Sequence, residues 1–172
     1  MFDFYYDPAR QGLDTTIWKA LTGTSVITGD ILRLNQDELI GYGDIKGGNH
    51  VFKLNVAAPA VGSQKIFGLF AHNIGNKAIF EIRGTKLVMV TTNKNGTTET
   101  MIDWDTALNA ANASYEINLT GRQVAFKING ETQAIHDDDN YPEGPLSLYL
   151  NNVNDDSLDL VYIESRSVES YV

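Results

Sequence analysis

Apolar residues recur at every second position through much of this chain, and that period limits what it can become. In "YEINLT", Tyr115, Ile117 and Leu119 share one face while Glu116, Asn118 and Thr120 share the other. "VAFKIN" repeats the pattern with Val124, Phe126 and Ile128, and "LSLYLN" with Leu146, Leu148 and Leu150. Successive side chains of a strand point to opposite faces, so each stretch reads as a half-buried antiparallel strand. "HVFKLNV", "KAIFEIRG" and "KLVMVTT" follow the same rule less strictly, and "KIFGLFAH" is apolar on both faces. The turns agree with the strands. Asn129-Gly130 and Asn95-Gly96 separate strand-like runs by the two residues that tolerate positive φ, the strongest short hairpin signal. Gly75-Asn76 and Gly84-Thr85 punctuate more weakly. About a dozen strands at the ~8–12-residue spacing of an all-β sandwich are expected. Only "DWDTALNAANA" (103–113) has a helical look.

Length and charge narrow the classes of function. A chain of 172 residues suits one domain, and buries enough surface to need no staple. It has no cysteine, which excludes disulfides and thiol chemistry. The net charge is −9 and the 13 basic residues are scattered, so a phosphate-neutralising surface is not expected and neither is nucleic acid as a partner. No apolar stretch approaches the ~18 residues of a membrane span. The opening "MFDFYYDPARQG" lacks a charged start, an apolar run and a small-residue cleavage site. The expected setting is therefore the cell that makes the protein, or a virion assembled there.

Several stretches, taken in order, resemble the concanavalin A-like lectin/glucanase superfamily. "LDTTIWKALTG" (13–23) is similar to its opening, "GDILRLNQ" (29–36) to the strand that follows, and "GGNHVFKLNV" (47–56) and "FGLF" (67–70) to early inner strands. "ASYEINLTGRQVAFKINGETQ" (113–133) resembles the paired strands of laminin G-like modules, and "GPLSLYLNN" with "DSLDLVYIE" (144–164) the closing pair. The resemblance implies an all-β jelly-roll β-sandwich of two curved antiparallel sheets. It also makes Trp18 a core residue, and divides the chain into an N-terminal arm (1–12) and a sandwich domain (13–172).

Glycosidases of this superfamily bear Glu-x-Asp-x-x-Glu on one strand, because hydrolysis needs two carboxylates flanking the scissile bond. None of the eight glutamates (38, 81, 99, 116, 131, 143, 164, 169) fits that pattern, and Glu116 has Asn118 and Thr120 as same-face neighbours. The histidines His50, His72 and His136 are dispersed, with no Gly-x-Ser-x-Gly elbow. The acidic stretches "HDDDNYPEG" (136–144) and "NNVNDDS" (151–157) lack calcium-loop spacing, so neither metal nor cofactor is expected. The expectation from the sequence is a non-enzymatic structural or adhesive protein of an assembly. Similar aromatic-acidic openings in phage structural proteins point to a bacteriophage capsid decoration or other virion surface protein. The expected partner is another protein chain, bound through Phe2, Phe4, Tyr5 and Tyr6 of an aromatic stripe. The alternative docking of that segment is as an edge strand of its own sandwich, against "RSVESYV". A lectin-like carbohydrate-binding module is the second reading, with Trp104, Tyr141 and Tyr149 as ring platforms for glycans.

Overall fold

The structure is a computed structural model that describes residues 4–12, 18–22, 25–35, 38–45, 49–57, 64–71, 73–103, 113–120, 123–137, 146–153 and 158–167. Its strands are β1 (Phe4–Tyr6), β2 (Lys19–Thr22), β3 (Val26–Thr28), β4 (Ile31–Leu34), β5 (Glu38–Ile45), β6 (His50–Val56), β7 (Lys65–Ala71) and β8 (Asn73–Arg83). They continue with β9 (Lys86–Asn93), β10 (Gly96–Asp103), β11 (Ala113–Thr120), β12 (Gln123–Ile128), β13 (Glu131–His136), β14 (Leu146–Asn152) and β15 (Leu158–Ser167). One turn of helix, α1 (Pro8–Gln11), follows β1. Two antiparallel sheets result. One runs β13-β12-β11-β6-β15-β4-β3 with β1 also paired to β15, and the other runs β10-β9-β8-β7-β14-β5-β2. This is the jelly-roll β-sandwich that the resemblance implies, built from the antiparallel strands that the alternation predicts. The short helix was not foreseen: Asp7 caps it by accepting from the Ala9 amide, and Pro8 at its first position has no amide to leave unpaired. The helical look of 103–113 falls on 104–112, outside the described residues.

The turns act as read at Asn129-Gly130 and Gly84-Thr85, whereas Lys94-Asn95 turns between β9 and β10 with Gly96 opening β10, and Gly75-Asn76 lies inside β8. Asn129 (φ 50°) and Gly130 (φ 85°) both adopt positive φ, and this closes the β12–β13 hairpin without a loop. Between the sheets, the apolar faces meet around one aromatic cluster. Phe80 on β8 has ring centroids 5.6 Å from Phe67, 5.2 Å from Tyr115 and 5.3 Å from Phe126, and all four side chains are fully buried. Trp18 is buried and meets Tyr6 edge-on at 5.1 Å.

Three polar clusters lie inside the sandwich, and two of them tie the sheets together. Lys65 on β7 is fully buried and donates to Asn152 Oδ1 at 2.6 Å. Asn152 Nδ2 in turn donates to the Leu34 and Asn35 carbonyls at the end of β4, in the other sheet. His50 on β6 meets Ser165 on β15 inside the sandwich. His136, at the end of β13, sits between the hydroxyls of Thr91 on β9 and Thr100 on β10, each 2.8 Å from a ring nitrogen. A neutral imidazole has one donor and one acceptor, and hydroxyls serve either, so the ring is satisfied uncharged. Burial holds His136 below its ordinary value of 6.5, with the Asp137 charge opposing. The folded state thus binds this proton less readily than the unfolded chain. Stability should be fullest above pH 6.5 and fall as pH drops through the folded value, because only the unfolded chain then gains the proton. Melting temperature followed from pH 8 to pH 5 tests this, and His136→Gln should flatten the part of the decline that the ring causes.

One glycine is fixed by close approach. Gly68 on β7 has φ 155°, and a Cβ there would lie 2.4 Å from the Ala78 carbonyl oxygen and 2.7 Å from Ile79 Cα. Both are backbone atoms of β8, so relief would mean parting the β7–β8 pair. Gly68→Ala should cost about 3 kcal/mol, read as a lower denaturant midpoint; an unchanged midpoint would show that the strands can separate freely.

Candidate functional site

The N-terminal aromatics do not form one free stripe. β1 pairs antiparallel with β15, placing Phe4, Tyr5 and Tyr6 opposite Ser165, Glu164 and Ile163. This is the edge-strand docking, although against 163–165 rather than the last residues. Tyr6 points inward, is fully buried, and donates its hydroxyl to the Gly12 carbonyl at 2.6 Å. Tyr5 faces outward, 39% exposed, with its ring 6.4 Å from Tyr162. Phe2 and the Phe4 side chain lie outside the described residues, as do Trp104 and Tyr141. Glu116, on β11, lies opposite Lys53 on β6 and Lys127 on β12, on the outer face of the eight-stranded sheet.

The seven-stranded sheet presents a different face. On β8, Ala78, Phe80 and Ile82 enter the core, so Ile79, Glu81 and Arg83 project outward. On β9 the outward residues include Val88 and Val90, and on β10 Glu99 and Met101. Cross-strand register sets one row through Tyr149, Gly68, Ile79, Val90 and Glu99, and the next through Asn151, Ile66, Glu81, Val88 and Met101. Ile79, Val88 and Val90 form an apolar layer with Ile66 and Tyr149, and the first three are buried although they point away from the sandwich. Tyr149, the described member of the expected ring platforms, is half-buried here. It accepts a 3.2 Å hydrogen bond from Asn151 Nδ2, and burial raises its hydroxyl pKa.

Over this apolar layer Arg83 joins two carboxylates from different strands. Its Nη2 donates to Glu81 Oε2 at 2.9 Å and to Glu99 Oε1 at 2.8 Å, and its Nη1 donates to Glu99 Oε2 at 3.1 Å. Two oxygens in reach of one nitrogen are at most about 6 Å apart, which spans the ~5–5.5 Å of a retaining glycosidase pair. The Arg83 hydrogen bonds hold Glu99 below the usual carboxylate range; burial opposes them, and the charges of Arg83 and Lys77 add to the depression. Arg83 is itself raised by the same bonds, first those to Glu81. At the end of the rows, Lys86 pairs with Asp103.

Both glutamates are plain in the sequence, but a search for a pair on one strand passes over them. The signal that finds them is hairpin register. The Gly84-Thr85 turn sets Glu81 opposite Val88, and the Lys94-Asn95 turn sets Glu99 opposite Val90, one row away on the same face.

No protein-family model matches the sequence, and no curated protein matches it. Solved structures match the fold over nearly its whole length. The β-glucanase of Bacillus licheniformis is similar with TM-score 0.76 and 14% identity, over 96% of this chain and 98% of that one. The endo-β-1,3-glucanase of Pyrococcus furiosus gives 0.81 and 10%, over 99% and 95%. The laminarinase catalytic domain of Thermotoga maritima gives 0.81 and 9%, over 99% of both chains. These likenesses establish the concanavalin A-like fold. They also correct the expectation of a non-enzymatic virion surface or adhesive protein, which had rested on associating this fold with phage structural proteins. These three structures, which share the fold across nearly the whole sandwich, are a β-glucanase, an endo-β-1,3-glucanase and a laminarinase instead. The exclusion of enzyme activity falls with it. It assumed that both carboxylates must come from one strand, whereas the sheet brings Glu81 and Glu99 together from two.

Proposed function

We propose that this protein is a glycoside hydrolase acting within β-glucan-type polysaccharides, with Glu81 and Glu99 as its carboxylate pair. The observation that carries the reading is the shared hydrogen bonding of both carboxylates to Arg83 Nη2 on the outer face of the seven-stranded sheet. Glycosidic cleavage needs one carboxyl to protonate the leaving oxygen and a second, ionised, to meet the positive charge that develops on the sugar. A spacing below about 6 Å leaves no room for a water between carboxylate and sugar, which favours the retaining, two-step course. In that course the ionised carboxylate attacks the anomeric carbon as the C–O bond breaks and the leaving oxygen takes the acid's proton. Water then releases the sugar, giving its proton back to the first residue. The glucanase matches support the substrate class. Tyr149, in the same cross-strand row as Glu99, offers a ring on which a sugar could rest.

The test is release of reducing ends from β-1,3- and mixed β-1,3-1,4-glucans by the purified protein, with product anomers followed by NMR. Cleavage with retained configuration, lost in Glu99→Gln and kept in Glu116→Gln, is the expected result. No cleavage of either glucan, or equal activity in the Glu99→Gln protein, overturns the reading.

A further inference from the structure

Arg83 grips the two carboxylates unequally. Glu99 is held through both oxygens, at 2.8 and 3.1 Å, in the two-pronged geometry in which guanidinium and carboxylate match best. Glu81 receives a single bond, to Oε2 at 2.9 Å. A carboxylate gripped by both oxygens has to break a charged hydrogen bond before it can bind a proton. A carboxylate held by one oxygen can accept a proton on the other with the grip intact. Surroundings differ too. Glu81 is the more enclosed, with its side chain 15% exposed against 33% for Glu99. It lies between Ile66 and Val88 in its row. The other charged groups near this face do not reverse the inequality. Lys77, on β8, favours the charged form of Glu99. Lys86 on β9 and Asp103 on β10 are paired with each other.

We infer that Arg83 is a positioning residue that gives the pair its division of labour: its two-pronged grip keeps Glu99 ionised as the nucleophile, and its single bond leaves Glu81 free to carry the proton. This rests on the hydrolase reading for its chemistry, but the protonation order can be measured without any substrate. The same Arg83 links β8 to β10 across β9.

The experiment is a carboxyl-carbon NMR titration of the full-length protein, selectively labelled at glutamate, for wild type, Arg83→Lys and Arg83→Met. The resonances are assigned with Glu81→Gln and Glu99→Gln. In wild type, Glu99 should titrate at lower pH than Glu81. In Arg83→Met, Glu99 should move up and the gap between the two should close, with Arg83→Lys between the extremes because it keeps the charge and loses the fork. Wherever glucan cleavage is measurable, the acidic limb of the kcat profile should move to higher pH in Arg83→Met, with KM changed less than kcat. Glu81 titrating at or below Glu99 in wild type overturns the inference, as does a gap that survives Arg83→Met. Both readings come from the titration alone. A protein with the expected order and no glucan cleavage would leave the protonation order set by Arg83 standing and refute the hydrolase proposal instead, and if Arg83→Met fails to fold, Arg83→Lys reads the same gap.

Discussion

Phe80→Ala should lose about 3–5 kcal/mol of stability, the range for truncating a buried aromatic. The ring is fully buried and touches three others, Phe67 from its own sheet and Tyr115 and Phe126 from the facing one. Its removal takes away transfer energy and leaves a void where two sheets meet. Neither sheet can close on that void without shifting its ladder of hydrogen bonds, so little of the loss is recovered by relaxation. For a domain of this size, about 3–5 kcal/mol corresponds to a melting temperature lower by roughly 6–20 °C. Phe80→Leu should cost much less, because it keeps most of the volume. Paired denaturant titrations of the two variants check this. Equal small losses would mean that the aromatic cluster is not the centre of the core. Phe80 also lies between Ile79 and Glu81 in sequence and points the opposite way. The variant should therefore reduce glucan cleavage beyond what its folded fraction explains, since the strand that positions Glu81 loses its anchor.

Glu81→Gln should reduce glucan cleavage by about 10²–10⁴-fold, the usual contribution of a positioned proton donor. The amide keeps the size of the side chain and can still accept from Arg83 through its oxygen, so the fold and the Glu99 grip should persist. What is lost is the exchangeable proton. That gives the variant a distinguishing mark. Substrates whose leaving group needs no protonation, such as aryl glycosides with acidic phenols, should be cleaved far less impaired than the polysaccharide in the first step. Glu99→Gln should be impaired on both, because it removes the charge that meets the sugar. A Glu81→Gln protein that cleaves glucan at the normal rate, or that fails equally on both substrate types, would remove Glu81 from the acid role.

Much of the fold was legible because period and turn chemistry are local. Tyr115, Ile117, Leu119, Val124, Phe126 and Ile128 all enter the core as their alternation requires, and Asn129-Gly130 turns where only residues tolerant of positive φ can. Trp18 is core for the same reason that large apolar residues usually are. The opening segment was harder. Its alternation placed Tyr6 opposite Tyr5 in facing, but only the sandwich could show that the inward side meets its own Trp18 and Ile163 partner strand. Alternation states which side chains share a face and says nothing about what covers it.

The pair of carboxylates marks the boundary most sharply. The sequence by itself determined that the chain is an all-β sandwich, because side-chain period and hairpin signals are carried by neighbours a few residues apart. It also determined that no strand carries the Glu-x-Asp-x-x-Glu pattern. Only the tertiary structure decided that Glu81 and Glu99, eighteen positions apart, meet at one guanidinium. Their meeting depends on the registers of two consecutive hairpins added together, and on Arg83 reaching back along the sheet. A one-residue slip in either hairpin would turn one carboxylate to the other face. Register of that kind is settled by the packing of Phe80, Met89 and Leu87 on the opposite side of the same strands, so the site is fixed from behind by the core.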